Sequence, residues 1–252
     1  MMLDIIDHDD IRELRLARPP VNALDPALVQ ALRRAVEDAP GAGAGGLLLS
    51  GAQGMFSAGL DVPALLALDR ARMRVFWRDF FALCAALART PIPAVAAIGG
   101  HSPAGGAVLA LFCDYRVMAH GPFKIGLNEV QVGLTVPDCI QLALRRTVGT
   151  YRAERLLVAG SMLESEQALA CGLVDELAAL EQVDTRALLW LQELLALPRH
   201  AMLATRALAR ADLAAAFADP DALPVEDFLD GWFAPPTQTV LRALVARLKS
   251  RA

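Results

Sequence analysis

The chain has 252 residues, of which 55% are hydrophobic, and it carries a formal net charge of −4. A chain of this length buries most of its apolar surface on folding, so a complete core needs no disulfide staples. The acidic balance argues against a nucleic-acid-binding protein, because such proteins are usually basic overall.

Targeting signals and cysteine spacing narrow the class of protein further. No apolar run approaches the roughly 18 residues of a membrane span, and the acidic residues 1–7 lack the basic and apolar regions of a signal peptide. We therefore expect a cytoplasmic protein. The four cysteines show no C-x-x-C pair and no zinc-ligand spacing, so we expect buried free thiols and no metal site: Cys84, Cys113, Cys139 and Cys171.

The first predicted elements are a weak strand at 11–17 and a helix after it. Asp25 is a suitable N-cap, and Pro26 suits the first helical position. The helix continues to about residue 39 and presents one apolar face, formed by Leu28, Val29, Leu32 and Val36.

A glycine-rich segment at 41–46 contains a formal G-x-G-x-x-G pattern. A dinucleotide-binding site needs a strand before this pattern and a helix after it. Here a helix precedes it and a buried strand at 47–50 follows, so we interpret the segment as a connector.

Strands and helices alternate from there to about residue 180. A helix with several arginines spans about 69–89, and Thr90-Pro-Ile-Pro93 ends it. The elements predicted next, in order, are a strand at 94–98, a turn at 99–103, a buried helix at 105–112, a strand at 115–119, helices at about 138–148, 151–159 and 164–170, and a short strand at 173–177. Beyond about residue 181 the sequence predicts only helices, broken by prolines, so a helical region follows an α/β core.

Glu129 is a lone carboxylate in the apolar segment Ile125-Gly-Leu-Asn-Glu129. A carboxylate between Leu127 and Val130 is expected to be partly desolvated, which raises its pKa towards neutrality and suits a general base that later returns its proton. The alternative is a surface glutamate at a strand end. The local sequence does not separate the two.

Two glycine turns are candidates for binding a carbonyl oxygen through backbone N–H groups. Gly105 lies in the first turn of a predicted helix, where N–H groups have no intrahelical partner. Gly59-Leu60 in Phe56-Ser-Ala-Gly-Leu-Asp61 offers a second donor, and two such donors aimed at one oxygen form an oxyanion hole. Glycine at these positions also fits a purely structural role, as a close packing contact.

Other polar residues are weaker candidates. Ser57 and Ser102 lie outside any G-x-S-x-G pattern, which argues against a serine hydrolase. We interpret His101 as a loop histidine. The acidic residues between 219 and 230 lack calcium-loop spacing, so we expect a solvated helix face.

Together these motifs identify a family. Phe56-Ser-Ala-Gly-Leu-Asp61, Pro103-Ala-Gly-Gly106 with Cys113-Asp-Tyr-Arg116, and Ile125-Gly-Leu-Asn-Glu129 resemble the crotonase (enoyl-CoA hydratase/isomerase) superfamily. The resemblance extends from about residue 18 to residue 175.

The resemblance implies an α/β fold, a crotonase-like spiral of ββα units, and a C-terminal helical region that forms a trimer or a dimer of trimers. We divide the chain into a spiral core, 1–197, and the helical region, 198–252. The resemblance also implies an acyl-CoA substrate, with coenzyme A as part of the substrate and no other cofactor. The Leu60 and Gly105 N–H groups would form the oxyanion hole and Asn128 would touch the acyl part, while the CoA path would be lined by Ala58, Gly59, Leu60, Asp61 and Val62.

Hydratases of this family resemble one another in carrying two catalytic glutamates. The first position falls here on Val108, and only the second, Glu129, is filled. The residues of these motifs most resemble those of the mitochondrial-type Δ3,Δ2-enoyl-CoA isomerases of fatty acid β-oxidation, which work with one glutamate. We therefore expect Glu129 to remove a C2 proton and to return it at C4.

Three alternatives stay open at this point. A single-glutamate family member can also be a weak hydratase or a thioester hydrolase, and a crotonase-fold protein can be a binding protein without chemistry. RNA binding through the arginines of 69–89 is the third, disfavoured by the acidic balance.

Overall fold

Two β-sheets organise the computed structural model, which describes residues 2–250. The larger sheet has six strands in the order β1-β2-β3-β5-β7-β10, and the smaller has four in the order β4-β6-β8-β9. The strands are β1 Leu3–His8, β2 Ile11–Leu16, β3 Gly46–Ser50, β4 Gly54–Met55, β5 Ala94–Ile98, β6 Gly100–Pro103, β7 Tyr115–Ala119, β8 Lys124–Gly126, β9 Leu163–Glu164 and β10 Glu176–Ala178.

The six-stranded sheet is buried on both faces at its central strands β3 and β5. Its first pair of strands is antiparallel and the following pairs are parallel. Successive side chains of a strand point to opposite faces. In β3, accordingly, Leu47 and Leu49 belong to the main core, whereas Leu48 packs with Val183 and Leu191 in the smaller core on the other face.

The connections repeat a ββα unit three times. In each unit the first strand joins the large sheet and the second joins the small one, and a helix returns the chain: β3-β4-α3, β5-β6-α4 and β7-β8-α5. The fold is therefore the crotonase-like α/β fold that the resemblance implied.

Helices account for most of the remaining chain. They are α1 Pro26–Asp38, α2 Val62–Leu65, α3 Arg70–Arg89, α4 Gly105–Leu111, α5 Asp138–Val148, α6 Thr150–Ala159, α7 Ser165–Ala170, α8 Val183–Leu195, α9 Arg199–Ala209, α10 Ala211–Ala215, α11 Val225–Phe233 and α12 Pro235–Lys249, with 3-10 turns at Glu129–Val132, Leu180–Gln182 and Pro220–Ala222. No helix in this part of the chain is long and apolar enough to cross a membrane.

The predicted helices are confirmed to within a few residues at each end. At α1, the Asp25 carboxylate accepts a hydrogen bond from the Leu28 N–H at 2.8 Å, so the capping signal was read correctly. All four predicted apolar residues of α1 are buried. The cysteines are free thiols, and three are buried as expected, but Cys171 is only half-buried.

One turn prediction and one strand prediction were wrong. Residues 99–103 are not simply a turn, because Gly100–Pro103 is β6, and the last strand is Glu176–Ala178 rather than 173–177. The prediction also lacked β1, β4, β8 and β9. Strands of two to four residues, such as β4, β6 and β8, are too short to show periodicity, and pairing with neighbours distant in sequence is what makes them strands.

Candidate active site

Three parallel strands of the small sheet bring the predicted site segments together. The order β4-β6-β8 is parallel throughout. The segment 56–61 follows β4, Ala104 follows β6, and Glu129 lies three residues after β8. The carboxyl ends of parallel strands meet at the same edge of a sheet, which is where α/β proteins commonly bind ligands. Segments that are up to about 70 residues apart in sequence therefore share one edge.

The segment 56–61 is held by the chain around Asn22. The Asn22 side chain donates to the Phe56 carbonyl at 3.1 Å, and the Ser57 hydroxyl donates to the Asn22 carbonyl at 2.7 Å. Both polar side chains are buried. Ser57 is thus a structural residue. The sequence analysis did not predict that Asn22 shapes the site. The feature that pointed to it was its place in Arg18-Pro-Pro-Val-Asn-Ala-Leu24, the segment where the family resemblance begins.

The Leu60 N–H is left free by the way its neighbours pair. Leu24 donates to the Gly59 carbonyl at 2.7 Å, and Asp61 donates to the Leu24 carbonyl at 3.0 Å. In this parallel bridge the Leu60 N–H points away from Leu24. It has no acceptor among the described residues.

The Gly105 N–H is oriented by an unusual backbone conformation at Ala104. Ala104 has φ 47° and ψ −119°, a combination that is rare for a residue with a side chain. Its own N–H donates to the Gly126 carbonyl at 2.8 Å, which fixes the turn to β8. Gly105 begins α4, so its N–H has no intrahelical acceptor, and none of the residues 2–250 provides another.

The two glycine turns are in direct contact. A Cβ built on Gly59 would lie 3.1 Å from the Gly105 nitrogen, and one built on Gly105 would lie 3.5 Å from the Leu60 nitrogen. Gly59 also has φ +80°, which side-chain-bearing residues seldom adopt. The two free N–H groups therefore come from adjoining peptides, as an oxyanion hole requires.

Glu129 begins the 3-10 turn Glu129–Val132 and presents an unpaired carboxyl group. Although the residue is half-buried overall, its Oε2 atom is inaccessible to solvent and has no hydrogen-bond partner. Desolvation raises the pKa of Glu129 to about 7, opposed only by a backbone hydrogen bond. The environment is the one expected of a general base and not of a surface glutamate. Its catalytic role stays a prediction.

A cavity of about 590 Å³ lies beside these groups. Six of the predicted site residues line it: Ala58, Leu60, Asp61, Val62, Asn128 and Glu129. Gly59 and Gly105 lie behind the wall, where Ala104 is the lining residue next to Gly105. Gly59 therefore shapes the turn instead of facing the cavity.

The cavity has one charged region and one apolar region. Arg18 and Asp61 form an ion pair at 2.6 Å, and the other Asp61 oxygen caps α2 by accepting from the Ala64 N–H at 3.0 Å. Residues of the C-terminal helices and of 132–134 form the apolar wall: Val132, Leu134, Trp232, Leu244 and Leu248. The three C-terminal residues were missed, because an apolar position of a helix looks the same in sequence whether it faces a core or a ligand.

Other candidate residues lie elsewhere. Val108 is 1% exposed in the core and is absent from the cavity lining. The His101 Nδ1 atom accepts the Lys124 N–H at 3.1 Å, so that imidazole nitrogen is engaged outside the cavity. Ser102 is fully buried.

The arginines considered for RNA binding are partly neutralised by the acidic stretch. Arg70 contacts Asp230 at 2.5 Å, and Arg74 contacts Glu226 at 2.5 Å. These exposed pairs join α3 to α11 and reduce the positive charge of the α3 surface. The acidic stretch is thus a charged face that pairs with α3.

Known proteins resemble this chain in both sequence and structure. A family model described as "Enoyl-CoA hydratase/isomerase" matches residues 7–219. Human "Enoyl-CoA delta isomerase 1, mitochondrial" is 33% identical over 241 residues, which is 94% of this chain and 79% of the relative. "Probable enoyl-CoA hydratase echA17" of Mycobacterium avium is 36% identical over 199 residues, 77% of this chain and 76% of the relative.

Solved structures of enoyl-CoA isomerases and hydratases also resemble this chain. The crystal structure of human mitochondrial delta3-delta2-enoyl-CoA isomerase superposes with a TM-score of 0.93 at 31% identity, covering 100% of this chain and 99% of that one. Enoyl-CoA hydratase EchA3 from Mycobacterium ulcerans superposes with a TM-score of 0.80 at 29% identity, covering 92% and 97%.

Proposed function

The chain belongs to the enoyl-CoA hydratase/isomerase family, and we propose that within this family it is a Δ3,Δ2-enoyl-CoA isomerase. It is an enzyme of the crotonase superfamily. One observation carries the narrower proposal: a single unpaired carboxyl group, that of Glu129, lines a cavity whose wall at Leu60 and Ala104 adjoins the two free backbone N–H groups, and Val108 is a buried apolar residue.

The substrate we propose is a 3-enoyl-CoA thioester. Its carbonyl oxygen accepts hydrogen bonds from the Leu60 and Gly105 N–H groups. The CoA part follows Ala58–Val62, and the acyl chain passes Asn128 to reach the apolar wall at Trp232 and Leu244. These groups bind a thioester by shape and hydrogen bonding, so we propose that the reaction uses no metal or further cofactor.

The reaction is a proton transfer between two carbons. The Glu129 carboxylate takes a proton from C2, and the C2–H electrons form a dienolate whose oxygen lies at the two N–H donors. Glu129 then returns the proton to C4, the C2–C3 double bond forms, and the thioester carbonyl is restored. A pKa of about 7 makes the group a competent base and then a competent acid at neutral pH. Backbone donors of this kind contribute roughly 3–4 kcal/mol each to stabilising an oxyanion.

Hydration is the second candidate, because a relative of similar identity is named as a hydratase. Hydration needs a second group to position the attacking water. The other carboxylate of the cavity lining among residues 2–250 is Asp61, and both its oxygens are engaged by Arg18 and the Ala64 N–H. The geometry therefore favours isomerisation over hydration. Thioester hydrolysis and a binding role without chemistry are tested by the assay.

One assay separates these reactions. The protein is incubated with 3-enoyl-CoA and, separately, with 2-enoyl-CoA, while the absorbance of the conjugated thioester is followed. An isomerase produces a rise with the first substrate and little loss with the second. Rapid loss of absorbance with 2-enoyl-CoA would instead contradict the isomerase and indicate hydration or, if free coenzyme A is released, thioester hydrolysis.

A pair of variants assigns the base. Glu129→Gln is expected to lower kcat by a factor of about 10²–10⁴, the usual contribution of a general base. Glu166→Gln, a change on the exposed surface of α7, is the matched control and should keep full activity. Full turnover by Glu129→Gln would rule out the assignment whatever the reaction.

We also propose that the chain forms a trimer or a dimer of trimers through its C-terminal helical region. Within that region α11 and α12 pack on the core of their own chain, burying Trp232 and Leu241. By contrast, α9 has no buried residue, and Leu208 on it is 79% exposed. Light scattering after gel filtration measures the assembly, and Leu208→Glu is expected to dissociate it. The boundary at 197/198 and a cytoplasmic location stay predictions.

A further inference from the structure

The turn that carries Glu129 is closed by Gly133. The Gly133 N–H donates to the Glu129 and Val130 carbonyls, and the Leu134 N–H donates to the Glu129 carbonyl at 3.0 Å. Gly133 adopts φ +81°, so the chain reverses there and continues into the cavity wall at Leu134. The position of the carboxyl group therefore depends on what holds Gly133.

The group that holds Gly133 is Thr237, in the first turn of α12. Its hydroxyl donates to the Gly133 carbonyl at 3.0 Å, and the residue is 4% exposed. A Cβ built on Gly133 would lie 3.0 Å from the Thr237 Oγ1 atom and 3.3 Å from its Cα atom. The helix and the turn are therefore in direct contact at this hydrogen bond.

A second contact holds the opposite side of the same turn. Gln131 donates from its side chain to the Gly160 carbonyl at 2.9 Å. Each contact pairs a buried residue with an exposed one: Thr237 is buried and Gly133 exposed, whereas Gln131 is exposed and Gly160 buried. Of the two, the Thr237 contact is the one that joins the turn to α12.

The same helix also reaches the acyl region of the cavity. Leu244 lines the cavity, and it lies seven residues after Thr237. Seven residues are about two helical turns, so both side chains lie on one face of α12. One rigid helix thus contacts the wall for the acyl chain and the turn that carries the base.

We propose that Thr237 is a positioning residue for Glu129: its hydrogen bond to Gly133 fixes the turn and, with it, the buried position of the Glu129 Oε2 atom. The inference rests on the proposed role of Glu129 as the base. Without the Thr237 hydroxyl, the turn loses this tie to α12 and shifts, which exposes the Glu129 carboxyl group to water. Arg18 and Asp61 are the charged groups that line the same cavity, and they are paired with each other.

Three substitutions test the role of the hydroxyl. Thr237→Val keeps nearly the same shape and removes the donor, whereas Thr237→Ser keeps the donor. Thr239→Val is the matched control, because Thr239 is exposed on the same helix and its hydroxyl bonds only to the Pro235 carbonyl, at 2.9 Å. Each variant is assayed for kcat and KM with 3-enoyl-CoA across pH. The Glu129 carboxyl is titrated by infrared difference spectroscopy, with Glu129→Gln as the blank.

For Thr237→Val we expect kcat to fall roughly tenfold, the scale of a small misplacement of a reacting group, with KM nearly unchanged. We expect the pKa of Glu129 to move down from about 7 towards 4.5 as water enters. Thr237→Ser should restore both quantities, and Thr239→Val should change neither. A Thr237→Val protein with the parent's kcat and the parent's Glu129 titration would overturn the proposal, as would a loss of stability that leaves the titration unmoved.

The design separates this proposal from that of the reaction. Because the infrared titration needs no turnover, it tests the effect of Thr237 even if the chain proves not to be an isomerase. If Thr237→Val does not fold, Thr237→Ala is measured by the same titration and must show the same downward movement.

Discussion

The Leu60 and Gly105 nitrogens belong to peptides that are in contact: a Cβ built on Gly105 would lie 3.5 Å from the Leu60 nitrogen. The two turns leave no room for larger side chains between them, and both N–H groups are free of other acceptors within the described residues. A preorganised pair of donors requires no rearrangement when charge develops on an oxygen, which is why such pairs accelerate enolate-forming reactions. Four predictions follow from this geometry and from the burial of Glu129.

The rate of isomerisation should depend on the ionisation of Glu129. Only the carboxylate can accept the C2 proton, and burial raises the pKa of this group to about 7. We therefore expect kcat/KM to rise with pH through about 7 and to level off above it. The measurement is the initial rate with 3-enoyl-CoA at subsaturating concentration in buffers from about pH 5.5 to 8.5. A rate that stays constant over this range would contradict the predicted ionisation.

The contribution of Glu129 to the free energy of unfolding should fall as pH rises, whereas kcat/KM should rise. The pKa of Glu129 in the folded chain, about 7, lies above the ordinary value of 4.5. The unfolded chain therefore releases this proton first as pH rises, so the contribution of Glu129 is fully present below about 4.5 and is lost as pH rises through about 7. We compare the free energy of unfolding of Glu129→Gln with that of the parent. The difference should shift in favour of Glu129→Gln by about 3 kcal/mol as pH rises from below 4.5 to above 7.

Urea unfolding of both proteins at several pH values measures this difference. Glu166→Gln again serves as the control for loss of an exposed carboxylate. A difference between parent and Glu129→Gln that does not change with pH would show that the carboxyl group is hydrated in solution.

Gly106 should tolerate no side chain. A Cβ at this position would lie 2.7 Å from the Ser57 carbonyl oxygen and 2.9 Å from the Ser102 Oγ atom. Gly106→Ala must push α4 away from the segment 56–61, which separates the two N–H donors. We expect a loss of about 1–3 kcal/mol in stability and a fall in kcat of about 10² or more, as for removal of one oxyanion donor.

The control for this substitution is Gly231→Ala. Nothing lies within 4 Å of a Cβ built on Gly231, which is in α11. Alanine there should stabilise the helix by up to about 1 kcal/mol and leave kcat unchanged. Thermal unfolding and the isomerase assay report both quantities. Equal behaviour of the two alanine variants would contradict the packing argument.

Placing a glutamate at position 108 should not create a hydratase. Val108 is 1% exposed in the core, so a carboxyl group there is buried without a partner. We expect Val108→Glu to lower the free energy of unfolding by about 2 kcal/mol or more, with no gain in hydration of 2-enoyl-CoA. Val158→Glu, at a position that is 78% exposed, is the matched control and should be neutral. Rapid hydration by Val108→Glu would show that the position faces the substrate.

The sequence by itself determined the helices and the identity of the site segments. Periodic apolar residues and the Asp25 cap are local signals, so α1 and most later helices were predictable from neighbours in the chain. The motifs around Leu60, Gly105 and Glu129 identified the family, because residue types and their spacing can be read from the sequence without knowledge of the packing.

Only the tertiary structure decided how these segments meet. The strands β4, β6 and β8 have two to four residues and acquire their register from partners distant in sequence, so no local pattern reveals them. The acyl wall at Trp232 and Leu244 comes from helices that fold back onto the cavity. The ionisation of Glu129 depends on the same packing. A pKa of about 7 requires that other segments exclude water from its carboxyl group, and those segments surround Glu129 only in the folded chain.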